Sequence, residues 1–114
     1  MRNPALNILS EALGTAALVV AVGAIFSRGV SANGPAAGLG PWLVASLVWG
    51  IGLSLGGTTG YAINPARDLG PRIVHWLLPI PGKGGSNWSY APIPIIGDLA
   101  GAALAGLLLR YAHL

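Results

Sequence analysis

Between two apolar runs of near-spanning length, at residues 41–57 and 91–111, lies a segment that lipid accommodates poorly. Its centre reads Gly60-Tyr61-Ala62-Ile63-Asn64-Pro65-Ala66-Arg67-Asp68. Thr58 to Ile63 is too polar and too rich in glycine to continue a helix. Asn64 then makes a good N-cap, and Pro65 a good first helical residue, because its missing N–H would go unbonded there in any case. Ala66 to Leu78 can be helical, but with Arg67, Asp68, Arg72 and His75 it is too short and too charged to span. We read residues 58–78 as a re-entrant loop and half-helix. Irregular backbone at bilayer depth is tolerated only where protein buries it or where it lines water. The segment therefore points to a pore.

Composition agrees with a membrane setting. Only 8% of the 114 residues are charged, against about 25% in soluble domains. A spanning helix needs roughly 20 apolar residues, and three runs come near this, at 6–26, 41–57 and 91–111. The chain thus reads as one all-α unit over residues 1–114, a multi-pass protein of the cell membrane. Met1 to Pro4 precedes the first run without a small-residue cleavage site, so that run is expected to be a span and not a cleaved signal. Pro41 suits the start of the second helix. Trp42 and Trp49 share one of its faces, and Trp88 and Tyr90 resemble an interfacial anchor after the loop at 79–89. Gly97 and Gly101 form a G-x-x-x-G pair suited to close helix packing, with Gly106 beyond it. The glycines at 50, 52, 56 and 57 suit either close packing or room beside a pore. If three spans alternate, Arg28 and Arg110 lie on one side and Arg2 and Lys83 on the other, so loop charge does not set the orientation.

The residues that carry chemistry cluster around residue 64. A helix N-terminus presents free N–H groups and roughly half a positive charge. In a pore these would repel cations and bind a passing hydroxyl, with the Asn64 amide as a further donor; outside one, the tripeptide is an ordinary capped helix start. A guanidinium such as Arg67 at this depth costs a few kcal/mol unless solvated or paired. It is either a pore donor and cation barrier, a partner of Asp68 or Glu11, or both. Glu11, an acid inside the first run, reads as the acceptor for the free N–H groups of the 58–63 loop. A proton relay is the weaker reading, since no second buried acid or histidine stands at an obvious spacing. Asp98 could be interfacial or could pair across helices. His75 is expected to pack on the half-helix. No nucleophile–base pair, metal cluster or phosphate loop is present, so neither an enzyme nor a cofactor is expected. Scattered basic residues give nucleic-acid binding little support.

The run GYAINPARDLGPR resembles the second signature loop of the aquaporin, or major intrinsic protein, family. The similarity extends from about Asn7 to Tyr111 and looks like the C-terminal half of a glycerol facilitator. The resemblance implies an aquaporin-like half-bundle: three transmembrane helices plus one re-entrant half-helix, within a tetramer with one pore per subunit. It places the second Asn-Pro-Ala motif at Asn64, Pro65 and Ala66, and the selectivity filter at Arg67, Tyr61 and Gly52. Glu11 matches a buried acid that supports the loop, and Asp68 is typical of the glycerol branch, where it is taken with Glu11 as loop support. Gly52, where water-selective members commonly place histidine, and Tyr61 favour glycerol over water alone as the permeant.

The chain also departs from the family pattern. The first half is missing, and Asn3-Pro4-Ala5, which spells the motif before the first run, is in the wrong context. Asp98 stands where many members carry an apolar residue or proline. Half a bundle cannot enclose a pore, so the expected partner is a missing N-terminal half or an antiparallel second copy. The expected function is a passive channel for glycerol, other small neutral solutes and water. The alternatives are a non-conducting membrane remnant and a water-selective channel.

Overall fold

The structure, a computed structural model, describes residues 3–113. Arg2, counted above among the flanking charges, lies outside them. Four helices follow in order: α1 (Pro4–Phe26), α2 (Leu39–Thr59), α3 (Pro65–Leu77) and α4 (Pro92–Tyr111), with a short 3-10 turn at Trp88–Tyr90 leading into α4. α1, α2 and the stretch Trp88–Tyr111 have the length and hydropathy of membrane spans, whereas the 13-residue α3 does not. The chain is an aquaporin-like half-bundle of three span-length helices and one half-helix.

Local chemistry explains the helix ends. α1 starts two residues earlier than the apolar run because Asn3 caps it, accepting from the Ala5 N–H at 3.0 Å with Pro4 as first residue. The Asn3-Pro4-Ala5 triplet is thus a working helix start, built like the one at Asn64 but opening the first span-length helix. α2 runs two residues past Gly57, the end expected from sequence. Thr58 and Thr59 remain helical, and the helix stops at Gly60, which takes the left-handed conformation (φ 82°) while its N–H closes on the Gly56 carbonyl. Glycine carries no Cβ penalty in that conformation, and this is a common helix terminator.

Burial is inverted relative to a water-soluble protein. The buried residues of α1 are Asn7, Glu11, Gly14 and Thr15, one stripe at i, i+4, i+7 and i+8, and three of the four are polar. Large apolar side chains such as Leu13, Trp49, Leu53 and Leu99 point outward. An apolar exterior is what lipid requires, and the polar stripe must then find its partners inside the protein.

The main internal contact is α1 against α4, with α2 against the other flank of α1. Gly97 and Gly101 make the α1–α4 approach possible. A Cβ on Gly97 would stand 2.8 Å from the Ile8 carbonyl oxygen and 2.7 Å from the Glu11 Cβ, and one on Gly101 would run into the Ala12 carbonyl. Gly106 has open space where its Cβ would be, so it takes no part in this seam.

Candidate functional site

The turn from α2 into α3 is held from below by α1. Both oxygens of Glu11, 1% exposed, accept backbone N–H bonds, Oε1 from Ala62 at 3.2 Å and Oε2 from Ile63 at 2.8 Å. The same loop carries two non-glycine residues at positive φ, Tyr61 at 45° and Ile63 at 43°. For β-branched Ile63 this backbone is strained, and such strain persists only where the surroundings over-determine it. Here the Glu11 carboxylate holds the peptide, and the Ile63 side chain seats against Gly14, where a Cβ would come within 2.9 Å of it. Gly14 lies one turn beyond Glu11 on the same face. That i, i+3 spacing was the signal for a role the sequence reading missed.

Asn64 caps α3, its Oδ1 accepting the Ala66 N–H at 2.8 Å, with Pro65 as first residue. No residue of α3 is buried, and Asn64, Ala66 and Arg67 are all exposed. The Arg67 guanidinium lies over the Tyr61 ring, 5.3 Å from its centroid. Among the described residues it has no ion pair. The Asp68 carboxylate goes instead to Arg72 through two bonds of 2.6 and 2.9 Å. The alternative in which Arg67 is paired by Asp68 or Glu11 is therefore not the arrangement found. Tyr61 in turn lies flat on α2: a Cβ on Gly52 would be 2.8 Å from its Cζ, and one on Gly56 2.7 Å from its Cδ1. Gly52 and Gly56 make the bed for the tyrosine ring, whereas Gly50 and Gly57 face open space.

Asp68 does not reach the 58–63 loop. One turn separates it from Arg72, so the pair forms on α3 itself, and Arg72 carries it to the outer loop by donating to the carbonyls of Ser86 and Asn87. The His75 Nδ1 shares a hydrogen bond with the Ser86 hydroxyl at 2.8 Å. Lys83 folds back over the end of α3 and donates to the carbonyls of His75, Trp76 and Leu78. A cation at a helix C-terminus satisfies free carbonyls and favours the helix dipole. The half-helix is thus fastened at its start by Glu11 and at its end by the 83–87 loop, with Trp76 edge-on to Trp88 at 6.0 Å. Lys83, in the loop just after a helix, was a legible cap signal that the sequence reading did not use.

Along the α3 start runs an open groove of about 380 Å³. Asn64 and Arg67 form its polar end, and Leu18, Val19, Val22, Val44, Val48 and Ile63 its apolar wall. One side offers donors and positive potential, the other only hydrocarbon.

A second acid lies behind this site. Asp98 of α4 is 2% exposed and accepts the Thr15 hydroxyl at 2.9 Å. It pairs across helices, and it is the buried acid that the sequence reading did not find near Glu11.

Three apolar helices around a capped half-helix, with an arginine beside the cap, define an integral membrane protein built around a re-entrant segment. The chain belongs to the major intrinsic protein family, whose model matches residues 3–109. It is 54% identical over 106 residues to the glycerol uptake facilitator protein of Bacillus subtilis (strain 168), covering 93% of this chain and 37% of that protein. It is 58% identical over 102 residues to the glycerol uptake facilitator protein of Streptococcus pneumoniae serotype 4, covering 90% of this chain and 42% of that one. A probable glycerol uptake facilitator protein of Thermotoga maritima is 54% identical over 105 residues, covering 92% and 43%. The chain spans about two-fifths of the length of these relatives. No solved structure matches it.

Proposed function

We propose that the chain forms one half of the wall of a passive channel for glycerol and other small neutral solutes, closed by a second half from a longer chain or from a second copy. The observation that carries this reading is the two-sided groove. Asn64 and Arg67 on one side and valine and leucine side chains on the other suit a solute with hydroxyls along one edge and C–H groups along the other. The positive end of α3 and the Arg67 guanidinium, which has no ion pair among the described residues, disfavour cations. The Tyr61 ring, settled against Gly52 and Gly56, lies under the Arg67 guanidinium and positions that donor at the polar end of the groove. The names of the relatives support glycerol as the permeant. In this reading Asn64, Pro65 and Ala66 form the motif at the pore, Arg67, Tyr61 and Gly52 form the filter, and Glu11 holds the loop. Asp68 supports the outer end of α3 through Arg72. The family's tetramer is the expected assembly.

The test is reconstitution of the chain in liposomes with the part of a glycerol uptake facilitator that it does not span. Glycerol-driven swelling should exceed that of either part alone. Asn64→Asp should lower it and Arg67→Glu should abolish it, since each puts an anion where the donors stand. Equal swelling from wild type and Arg67→Glu, with both correctly inserted, would leave the chain a membrane element without a conducting role.

A further inference from the structure

We propose that Asp98 is a positioning residue for the 58–63 loop: it stands in the bilayer as the neutral acid and donates its proton to the Glu11 carboxylate. The geometry starts from Gly97, whose missing side chain lets the α4 backbone lie against Glu11. Asp98 follows Gly97 on α4 and bonds to Thr15, one turn beyond Glu11 on α1, so the two carboxyl groups share one stretch of the seam. One oxygen of Asp98 takes the Thr15 hydroxyl, while Oδ2 is fully buried and has no donor among the described residues. A buried carboxylate oxygen without a donor is costly. The group beside it, Glu11, has only acceptor oxygens when ionised, so two anions would face one another. A proton on Oδ2 turns this opposed pair into a hydrogen bond.

Among the described residues no cation forms an ion pair with Glu11 or Asp98. On α1 Glu11 is the one ionisable side chain, and α2 has none. On α3 Asp68 is itself an anion and is committed to Arg72, while Arg67 lies over the Tyr61 ring. On α4 the other ionisable groups, Arg110 and Tyr111, lie three turns away and are exposed. Two carboxyl groups in such a place hold one proton between them. Glu11 keeps the charge because each of its oxygens receives a backbone N–H; Asp98, with a single hydroxyl donor, keeps the proton. Asp98 thereby aims Glu11 at Ala62 and Ile63 and removes a negative charge from behind the loop.

The chain has three carboxylic side chains, Glu11, Asp68 and Asp98, which makes the test direct. The infrared spectrum of the full chain in lipid at neutral pH should contain the carbonyl stretch of one protonated acid. Labelling aspartate with carbon-13 at its carboxyl should shift that band, and Asp98→Asn should remove it. A band that ignores the label would put the proton on Glu11, and no band at all would mean two carboxylates; either result overturns the proposal. Amide exchange supplies a second readout. Asp98→Asn keeps a donor toward Glu11, so Ala62 and Ile63 should stay protected, whereas Asp98→Ala should speed their exchange at least about tenfold, the factor for one lost hydrogen bond. Equal protection in the two variants also overturns the proposal. The positioning role matters for transport only through the pore reading above, but neither measurement depends on flux, so failure of one reading is distinguishable from failure of the other.

Discussion

Glu11→Ala should unfasten the turn between α2 and α3 and lower stability by about 2–6 kcal/mol, from two buried N–H groups left without an acceptor at about 1–3 kcal/mol each. The Ala62 and Ile63 bonds are the only ones from α1 to this backbone among the described residues. With them gone, no hydrogen bond from α1 to the backbone of the positive-φ residues Tyr61 and Ile63 remains among the described residues. The Tyr61 ring then leaves its bed on Gly52 and Gly56, and Arg67 loses its stacking partner. Denaturant titration of the detergent-solubilised protein, followed by tryptophan fluorescence, measures the loss. Glu11→Gln should be intermediate, because its amide keeps one acceptor and turns a donor toward the second N–H. An alanine variant as stable as wild type would show that the loop is held by something other than Glu11.

Gly101→Val should be the most damaging change in the α1–α4 seam. The added atoms meet the Ala12 main chain, which cannot rotate aside as a side chain could. The helices must separate, and separation also strains the Thr15–Asp98 bond and the Gly97 contact with Glu11. Overpacking usually costs about 1–3 kcal/mol, and the buried polar pairs lost with it raise the expected total above about 3 kcal/mol. Gly106→Ala is the control on the same helix. With nothing within 4 Å of its Cβ position, it should be neutral or stabilise by up to about 1 kcal/mol, the ordinary gain of alanine over glycine in a helix. Thermal unfolding of the two variants side by side decides the matter.

What could be read from sequence was the chemistry confined to a few neighbouring residues. The Asn64-Pro65 helix start needs no tertiary information, and the same rule, applied to Asn3-Pro4, would have moved the start of α1 to its observed place. The Gly97–Gly101 spacing pointed to a helix seam, and the seam is there. The position of Glu11 within an apolar run pointed to an acceptor for loop N–H groups. Other features depend on contacts that sequence spacing does not reveal. Asp98 meets Thr15 across 83 residues of chain, so its partner becomes visible only once α4 lies on α1. The continuation of α2 through Thr59 reflects the hydrogen bonds available to a helix, which glycine and threonine weaken without breaking. Sequence offered Asp68 to Arg67, and the i, i+4 geometry of α3 gives it to Arg72 instead.

The central claim is that the groove beside Asn64 and Arg67 faces an aqueous path. The chain has no cysteine, so single thiols can report on each surface. Val48→Cys places one on the groove wall, and Leu53→Cys places one on the exposed α2 surface outside it. Both are to be compared in liposomes with the complementary facilitator part, its own cysteines replaced, using a membrane-impermeant thiol reagent and glycerol-driven swelling. The account predicts that Val48→Cys reacts and that its modification blocks glycerol flux, while Leu53→Cys does neither. A Val48 thiol that stays unreactive, or reacts without changing flux, would contradict it.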